Sequence, residues 1–200
     1  MSGLLIVIAG PSGAGKGTIY NSLLERVPNT IASISATTRK PRGVEQDGVH
    51  YFFKSVDEFE KMIERDELLE YADVFGNYYG TPKKFVMDSI ESGKNLILEI
   101  DVVGAAQIKR KFPSCVMMFI MPPSFEVLEK RLRGRATDSE ESIVRRLSEA
   151  KRELSTYEMF DYIVFNDDLQ QAISQAEAII CAERNKIYRN ESKIKQLLNE

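Results

Sequence analysis

The 200-residue chain is poor in the residue types on which many enzyme sites are built. It contains one histidine, His50, no tryptophan, and two cysteines, Cys115 and Cys181, that lie far apart in the sequence. A single histidine excludes histidine-rich metal sites, and it leaves His50 as the sole residue on which a histidine-based triad could be built. The cysteine spacing matches no metal-binding motif, so we expect two reduced thiols in a cytoplasmic protein.

The chain also lacks long apolar runs and a strong net charge. Its first apolar run, Leu4–Ala9, has no basic flank before it. The run is too short to span a membrane and does not have the pattern of a signal peptide. The net charge of -3 does not indicate a nucleic-acid polymer as a partner. Anion binding must therefore come from local clusters of residues.

A repeated alternation of buried-strand and helical patterns is present instead. The strand patterns are Leu4–Ala9, Asn95–Ile100, Cys115–Met121 and Tyr162–Phe165, and the helical patterns are Lys16–Arg26, Val103–Phe112, Ser124–Leu132 and a long helix from Leu169 nearly to the end. Continuous apolar strands that alternate with helices are typical of parallel sheets covered on both faces. The order predicts one α/β domain with a doubly wound parallel sheet.

Two segments interrupt this alternation. Residues 34–81 contain short strand patterns and a helix that begins at a capping box on Ser55, which together predict a small inserted α+β lobe. Thr81, at its end, is predicted to cap the next core helix. Residues 125–154 are dominated by charge and predict a helical lid. The core is then formed by residues 1–33, 82–124 and 155–200.

The stretch GPSGAGKGT lies between the first predicted strand and the first predicted helix. In that context, backbone N–H groups and the helix dipole bind phosphate oxygens, and Lys16 supplies a cation to the β- and γ-phosphates. Gly17 stands where a hydroxyl usually contacts Mg²⁺, and the hydroxyl comes one residue later. The predicted ATP-binding loop is Gly10, Pro11, Ser12, Gly13, Ala14, Gly15, Lys16, Gly17 and Thr18.

Further along, the chain contains the runs TTRKPRGVEQDGVHYFF, GNYYGTP, LILEID and RLRGRATDSEESIVRRL. Together with the loop, these runs resemble the guanylate kinase family, in its bacterial type, from Leu4 to about Arg184. The resemblance implies a P-loop NTPase-type core, an inserted lobe for a nucleoside monophosphate and a helical lid. It also implies the reaction ATP + GMP = ADP + GDP by direct in-line transfer, in purine nucleotide metabolism and GMP recycling, with Mg²⁺ as cofactor. Preference between GMP and dGMP stays open.

The inserted lobe carries the residue types that GMP requires. Arg39 and Arg42 can bind a doubly charged monophosphate with forked donors, to which tyrosine hydroxyls add neutral donors. A carboxylate such as Glu70 accepts hydrogen bonds from guanine N1–H and N2–H₂, and hydroxyls donate to O6. The candidate GMP-binding residues are Ser35, Arg39, Arg42, Glu45, Tyr51, Glu70, Tyr79, Thr81 and Asp101. Solvated surface charges are the alternative for the arginines, and packing is the alternative for Tyr78.

Metal binding is predicted where a strand ends with two carboxylates, Glu99 and Asp101. Carboxylates at this edge of a doubly wound sheet suit Mg²⁺, bound through water, and capping of a helix is the alternative. Thr18 is a weaker candidate ligand.

The lid is predicted to supply Arg135 and Arg146 to the transferred phosphoryl group. Lys16, Arg39, Arg135 and Arg146 form the candidate catalytic set, with no general base because the GMP phosphate is already an anion. Arg131 and Asn166 are further candidate ATP contacts, whereas Arg133 and Arg145 are expected to face solvent.

Two other functions remain open at this point. GAGKGT also resembles the loop of adenylate kinases, another nucleoside monophosphate kinase family. A catalytically silent guanylate-kinase-like module that binds phosphorylated peptides is the second alternative, although such modules tend to lose the loop lysine and the lid arginines. Oligomeric state is open as well. The apolar residues Ile187, Ile194, Leu197 and Leu198 either pack on the core or serve a partner subunit in a homo-oligomer.

Overall fold

The computed structural model describes residues 2–74, 76–134 and 140–199. The strands are β1 (Leu5–Ala9), β2 (Thr30–Ala32), β3 (Ala36–Thr37), β4 (Phe52–Phe53), β5 (Leu68–Val74), β6 (Asn77–Pro82), β7 (Asn95–Glu99), β8 (Val116–Met121) and β9 (Tyr162–Phe165). The helices are α1 (Lys16–Arg26), α2 (Val56–Glu64), α3 (Lys83–Glu91), α4 (Val102–Lys111), α5 (Phe125–Arg133), α6 (Glu140–Leu154), α7 (Leu169–Arg184) and α8 (Ile187–Leu198).

The central sheet has five parallel strands in the order β2-β7-β1-β8-β9. Side chains of β1 alternate between two apolar layers. Ile6 and Ile8 pack in the layer that contains residues of α1 and α7, and Leu5 and Val7 pack in the layer that contains residues of α3 and α4. Both faces of the sheet are therefore covered, which explains the continuous apolar strands and confirms the doubly wound α/β fold.

The edge strand β2 was not predicted from the sequence. It has three residues, all only partly buried, and it pairs with β7 alone. Such a short half-buried strand has no clear periodicity.

A second sheet, in the order β4-β3-β6-β5, forms the inserted segment. Phe59 of α2 packs on it and stacks on Tyr78, with ring centroids 5.3 Å apart, so Tyr78 contributes to packing. The predicted capping box at Ser55 is confirmed, because the Ser55 hydroxyl accepts from Glu58 N–H and the Glu58 carboxylate accepts from Ser55 N–H. The prediction that Thr81 caps α3 was wrong. Thr81 belongs to β6, and Pro82 is the N-cap residue.

The C-terminal region also differs from the prediction. The single long helix expected after Leu169 is two helices, α7 and α8, which are separated at Asn185 and Lys186. Lys186 has an extended backbone, with φ -59° and ψ 137°, which no α-helix accommodates. Its ammonium binds the buried carboxylate of Glu183, 2.6 Å away. Apolar periodicity continues through both helices and therefore does not reveal the break.

Helices α5 and α6 of the lid segment pack on each other through Leu128, Leu132 and Ala150. The predicted catalytic residue Arg135 lies outside the described residues. No helix in the described ranges combines the length and the apolar character needed to cross a membrane.

The capping box at α2 leads to a stability prediction. Replacing Ser55 by Ala removes the acceptor for Glu58 N–H, so we expect Ser55→Ala to lower the free energy of unfolding by about 1 kcal/mol. Urea denaturation measures this loss. Ser148→Ala, on the exposed face of α6, is the matched control and should change stability little. Equal effects of the two substitutions would contradict the assignment of the cap.

Candidate active site

The loop between β1 and α1 depends on glycines at three positions. Gly10, Gly13 and Gly15 have φ values of 141°, 90° and 91°, where other residues are strained. A Cβ on Gly10 would lie 2.4 Å from the carbonyl oxygen of Ile120. These glycines turn the chain sharply from a buried strand into a helix whose N-cap is Gly15. The resulting concave loop at a helix N-terminus is suited to bind phosphate.

Lys16 folds back over this loop. Its ammonium donates to the carbonyl oxygens of Gly10, 2.6 Å away, and Pro11, 3.1 Å away. The lysine therefore contributes a full positive charge beside the first two residues of the loop. Contact of Lys16 with a bound triphosphate stays a prediction.

Gly17 and Thr18 face different surroundings. A Cβ on Gly17 would lie 3.5 Å from Oε2 of Glu99, so the glycine brings the loop next to that carboxylate. Burial raises the pKa of the neighbouring Tyr20, and the charge of Glu99 raises it further. Thr18, in contrast, is exposed and lines a cavity of about 400 Å³ together with Arg131 and Asn166.

The side chains of Asn166 and Arg131 bind the glycine loop through its backbone carbonyl oxygens. Asn166 is buried, and its amide donates to the carbonyl oxygen of Ala14 at 2.7 Å. The Arg131 guanidinium is 3.4 Å from the same oxygen and 3.3 Å from the carbonyl oxygen of Asn166. Both predicted ATP contacts therefore lie against the loop, on the side of the cavity that contains Thr18.

The lid helix α6 approaches the loop on the side of Ser12. The Arg146 guanidinium donates to the Ser12 hydroxyl at 3.1 Å. Arg133 and Arg145 are exposed, as predicted, and pair with glutamates of their own helices at 2.8 Å and 3.8 Å.

Sequence reasoning missed Glu153, in the last turn of α6. Burial raises the pKa of Glu153, the charge of Lys16 and a hydrogen bond from the Ser12 backbone lower it, and the charge of Asp101 raises it. Glu153 follows Arg146 by seven residues, a spacing that places both on one helix face. This seven-residue spacing is the sequence signal that could have identified Glu153.

Arg39 is the centre of a polar cluster in the inserted segment. Its Nε donates to the Tyr79 hydroxyl at 3.2 Å, and one terminal nitrogen donates to Glu45 Oε1 at 2.9 Å. The Tyr51 ring lies under the guanidinium, 5.3 Å from ring centroid to Cζ. These contacts fix the direction of the guanidinium. Glu45 thus orients the arginine, and the hydrogen bond from Arg39 lowers the pKa of Glu45.

Arg42 is only partly organised by this cluster. Its backbone N–H donates to Glu45 Oε2 at 2.7 Å, whereas the residue itself is exposed. Glu45 therefore binds the side chain of one predicted phosphate contact and the backbone of the other.

Glu70 is a buried carboxylate in β5, with 7% of its surface exposed. Its Oε1 accepts from the Thr81 hydroxyl at 2.7 Å. Burial raises the pKa of Glu70, the hydrogen bond from Thr81 lowers it, and the charge of Asp101 raises it again. Thr81 is fully buried, so its hydroxyl serves Glu70 rather than a helix end.

Asp101 lies between the loop and the inserted segment. Its carboxylate accepts from Gly104 N–H at 2.8 Å and caps α4, which is the alternative that the sequence left open. Its charge also acts on Glu70 on one side and on Glu153 on the other. Ser35 is half-buried and lines a separate cavity of about 190 Å³ with Ser33, Tyr20 and Glu99.

Known proteins resemble this chain along nearly its whole length. A family model described as guanylate kinase matches residues 2–183. The guanylate kinase of Carboxydothermus hydrogenoformans is 53% identical over 184 residues, which cover 92% of this chain and 90% of that protein. The guanylate kinase of Caldanaerobacter subterraneus is 52% identical over 188 residues, which cover 94% of this chain and 91% of that protein.

A solved structure has the same architecture. The crystal structure of guanylate kinase from Anaplasma phagocytophilum superposes with a TM-score of 0.71 at 35% identity and covers 94% of this chain and 89% of that one. A relative above 30% identity with such coverage shares both fold and family. This chain therefore belongs to the guanylate kinase family.

Proposed function

We propose that this chain catalyses ATP + GMP = ADP + GDP, with ATP on the glycine loop and GMP on the inserted lobe. The observation that carries the proposal is the buried Glu70–Thr81 pair, in the same small sheet as the oriented Arg39–Tyr79 pair. Acceptors for guanine N–H groups and donors for a phosphate thus lie in one unit of the fold.

Recognition of guanine rests on Glu70. An ionised carboxylate accepts from N1–H and N2–H₂ of guanine, whereas adenine has no N1–H and leaves that acceptor unpaired. A site built from buried polar groups rejects the analogue that lacks the matching group by about 10⁴–10⁵-fold. Thr81 donates its single hydroxyl hydrogen to Glu70 Oε1, so Ser35 remains as the candidate donor to O6.

The GMP phosphate is assigned to Arg39, Arg42, Tyr51 and Tyr79. Arg39 is already oriented by Tyr79 and Glu45, so little conformational entropy is lost when phosphate binds. The phosphate of GMP attacks the γ-phosphorus of ATP as an anion, and the bond from that phosphorus to the β-bridging oxygen breaks. Because the nucleophile is already deprotonated, the residues act by alignment and charge neutralisation.

ATP is assigned to the loop, to Arg131 and Asn166 beside the cavity, and to the lid. Lys16 and Arg146 bring positive charge to the phosphates, and Arg135 is assigned to the same task from the sequence alone. The cavity beside Thr18 has room for the nucleoside, which favours contact of Thr18 with ATP. Thr18 as a metal ligand stays a prediction.

Mg²⁺ is proposed as the cofactor that accompanies ATP. Its fit rests on the exposed Glu99 carboxylate, an oxygen donor that Gly17 leaves adjacent to the loop. Across residues 2–74, 76–134 and 140–199, no group of three or more acidic, histidine or cysteine side chains is arranged to hold a metal. Glu99 and Asp101 would thus hold the ion through water, and the ion would neutralise charge on the phosphates.

Residues 34–81 and 125–154 are proposed to move as lobe and lid against the core. A homo-oligomer is supported by exposed apolar residues of α8, namely Ile187, Ile194, Leu197 and Leu198. A cytoplasmic location is supported by the free thiols Cys115 and Cys181.

A phosphotransfer assay with ATP and one acceptor at a time tests the proposed function. GMP is the expected acceptor, and AMP, CMP, UMP and dTMP are expected to be poor ones; dGMP is included to establish the deoxy preference. Transfer to AMP in preference to GMP would indicate an adenylate kinase, and absence of transfer with retained GMP binding would indicate a silent module.

Lys16 is expected to be essential for turnover. Lys16→Met removes the cation at the loop, so kcat should fall by about 10²–10³-fold or more, the cost of losing one electrostatic contact to the transition state. Steady-state kinetics measure the loss, with Lys94→Met on the surface as the control. A Lys16→Met enzyme with ordinary kcat would remove the loop lysine from the mechanism.

Arg39 is expected to contribute to the binding of GMP and not to the binding of ATP. Arg39→Met removes a charged donor, so KM for GMP should rise by about 10–100-fold, as expected for a hydrogen bond to a charged group. KM for ATP should stay within about twofold, since ATP is assigned to a separate loop. Arg65→Met, an exposed arginine of the same lobe, should change neither value. Unaltered GMP kinetics in Arg39→Met would defeat the assignment.

Ionised Glu70 is expected to lower the stability of the folded chain while it serves the recognition of guanine. Its raised pKa means that the folded chain binds a proton more tightly than the unfolded chain. The contribution of Glu70 to stability is therefore intact below the unfolded pKa, about 4.3, and is lost as pH rises through the folded pKa. Glu70→Gln should melt at a higher temperature than the natural protein at pH 7 and not at pH 4, while its KM for GMP rises.

Thermal unfolding at both pH values, with the exposed Glu60→Gln as control, measures the effect. A lower melting temperature for Glu70→Gln at pH 7 would show that the ionised carboxylate is stabilising.

A further inference from the structure

Gly104 has no backbone reason to be glycine. It lies inside α4, two residues after the first helical residue, and its φ is not in the left-handed region. Glycine inside a helix costs about 0.5–1 kcal/mol relative to alanine. The two residues that follow, Ala105 and Ala106, show that this helix accepts alanine. The reason for a glycine must therefore lie in the space around it.

That space is taken by the carboxylate of Glu70. A Cβ on Gly104 would lie 3.2 Å from Glu70 Oε2, 3.4 Å from Ile100 Cδ1 and 3.6 Å from Asp101 Oδ1. Only the contact with Glu70 is clearly tighter than an ordinary van der Waals contact. Gly104 is buried, so the added atom would have no route to solvent.

Glu70 cannot easily move away from such a group. Its Oε1 is bound by the Thr81 hydroxyl at 2.7 Å, on the opposite side of the carboxylate from the oxygen that faces Gly104. The backbone is confined as well, because a Cβ on Gly80 would lie 2.8 Å from the carbonyl oxygen of Glu70. Displacement of the carboxylate would therefore disturb the bond to Thr81.

Helix α4 cannot easily move away either. The Gln107 amide accepts from Tyr71 N–H at 3.2 Å and donates to the Tyr71 carbonyl oxygen at 3.1 Å. Lys111 donates to the carbonyl oxygen of Leu68 at 2.7 Å. These bonds hold α4 against β5 at residues before and after Glu70. The distance between Gly104 and Glu70 is therefore set by the bonds of Gln107 and Lys111.

We propose that Gly104 is a positioning residue for guanine recognition, because its missing side chain forms the slot in which Glu70 Oε2 is held. The proposal rests on the proposed function, in which Glu70 accepts from guanine. A methyl group at position 104 displaces Oε2 by a few tenths of an ångström, away from the direction in which N1–H and N2–H₂ donate. Affinity for GMP falls, and ATP, which binds elsewhere, is unaffected.

Gly104→Ala tests the inference, because a purely structural role predicts a different result. Alanine favours the helix, so a glycine without a role in recognition would give equal or higher stability and unchanged kinetics. We expect KM for GMP to rise by about three- to sixfold, in proportion to the roughly 10²-fold cost of a 1 Å misplacement. KM for ATP should stay within about twofold. Val103→Ala, on the exposed side of the same helical turn, is the control and should leave both values unchanged.

A double-mutant cycle with Glu70→Ala identifies the route of the effect. Without the Glu70 carboxylate, the methyl group at 104 has nothing to displace, so Gly104→Ala should change kcat/KM for GMP by less than about twofold in that background. A Gly104→Ala protein that fails to fold for this reason should fold again as the double variant. An unchanged KM for GMP in Gly104→Ala, or an equal effect in both backgrounds, overturns the inference.

The same variants distinguish an error in the proposed role of Gly104 from an error in the proposed function. If Glu70→Ala alone leaves GMP kinetics unchanged, the guanine assignment itself is wrong. If Glu70→Ala impairs GMP use and Gly104→Ala does not, the assignment stands and only the role of Gly104 is lost.

Discussion

Parallel pairing of β1 with β7 and β8 is the constraint on which the rest of the site depends. Because the three strands run in one direction, their carboxyl ends meet at one edge of the sheet. The glycine loop follows β1, Glu99 and Asp101 end β7, and Asn166 follows the parallel edge strand β9. Groups far apart in sequence therefore converge, and the apolar faces of the sheet supply most of the energy that holds them there.

Charge is distributed so that carboxylates separate the two clusters of positive groups. Lys16 at the start of α1 and Arg146 of α6 contact the loop, and Arg39 lies on the inserted segment. Asp101 stands between them and acts on the pKa of both Glu70 and Glu153. Glu45 fixes the direction of the Arg39 guanidinium, and the charge of Lys16 acts on the pKa of Glu153.

Helix α4 joins the two parts of the molecule. Its first turn is capped by Asp101, at the end of a core strand, and its later turns hold β5 of the second sheet through Gln107 and Lys111. The same helix also borders the buried Glu70 through Gly104, so one element contacts both the core sheet and the site proposed for guanine.

Much of the fold follows from local patterns. The bounds of α1 and β9 agree with the sequence expectation, because a glycine loop, a following proline and a continuous apolar run are strong signals. The break between α7 and α8 and the edge strand β2 were missed, because apolar periodicity does not record a single extended residue or a half-buried edge. The sequence predicted Thr81 at a helix end. In the structure Thr81 is instead a buried residue of β6, and its hydroxyl binds Glu70.

The sequence by itself determined which chemistry is available: a phosphate loop with its lysine, arginines for a second anion, and a carboxylate for a base with N–H donors. Those properties belong to residue types and short spacings. The tertiary structure alone decided which of these groups meet, that Gly17 and not Thr18 faces Glu99, that Glu153 joins the loop, and that Gly104 borders Glu70. Such contacts join distant segments, and the packing of helices on sheets, which no local pattern encodes, sets their distances.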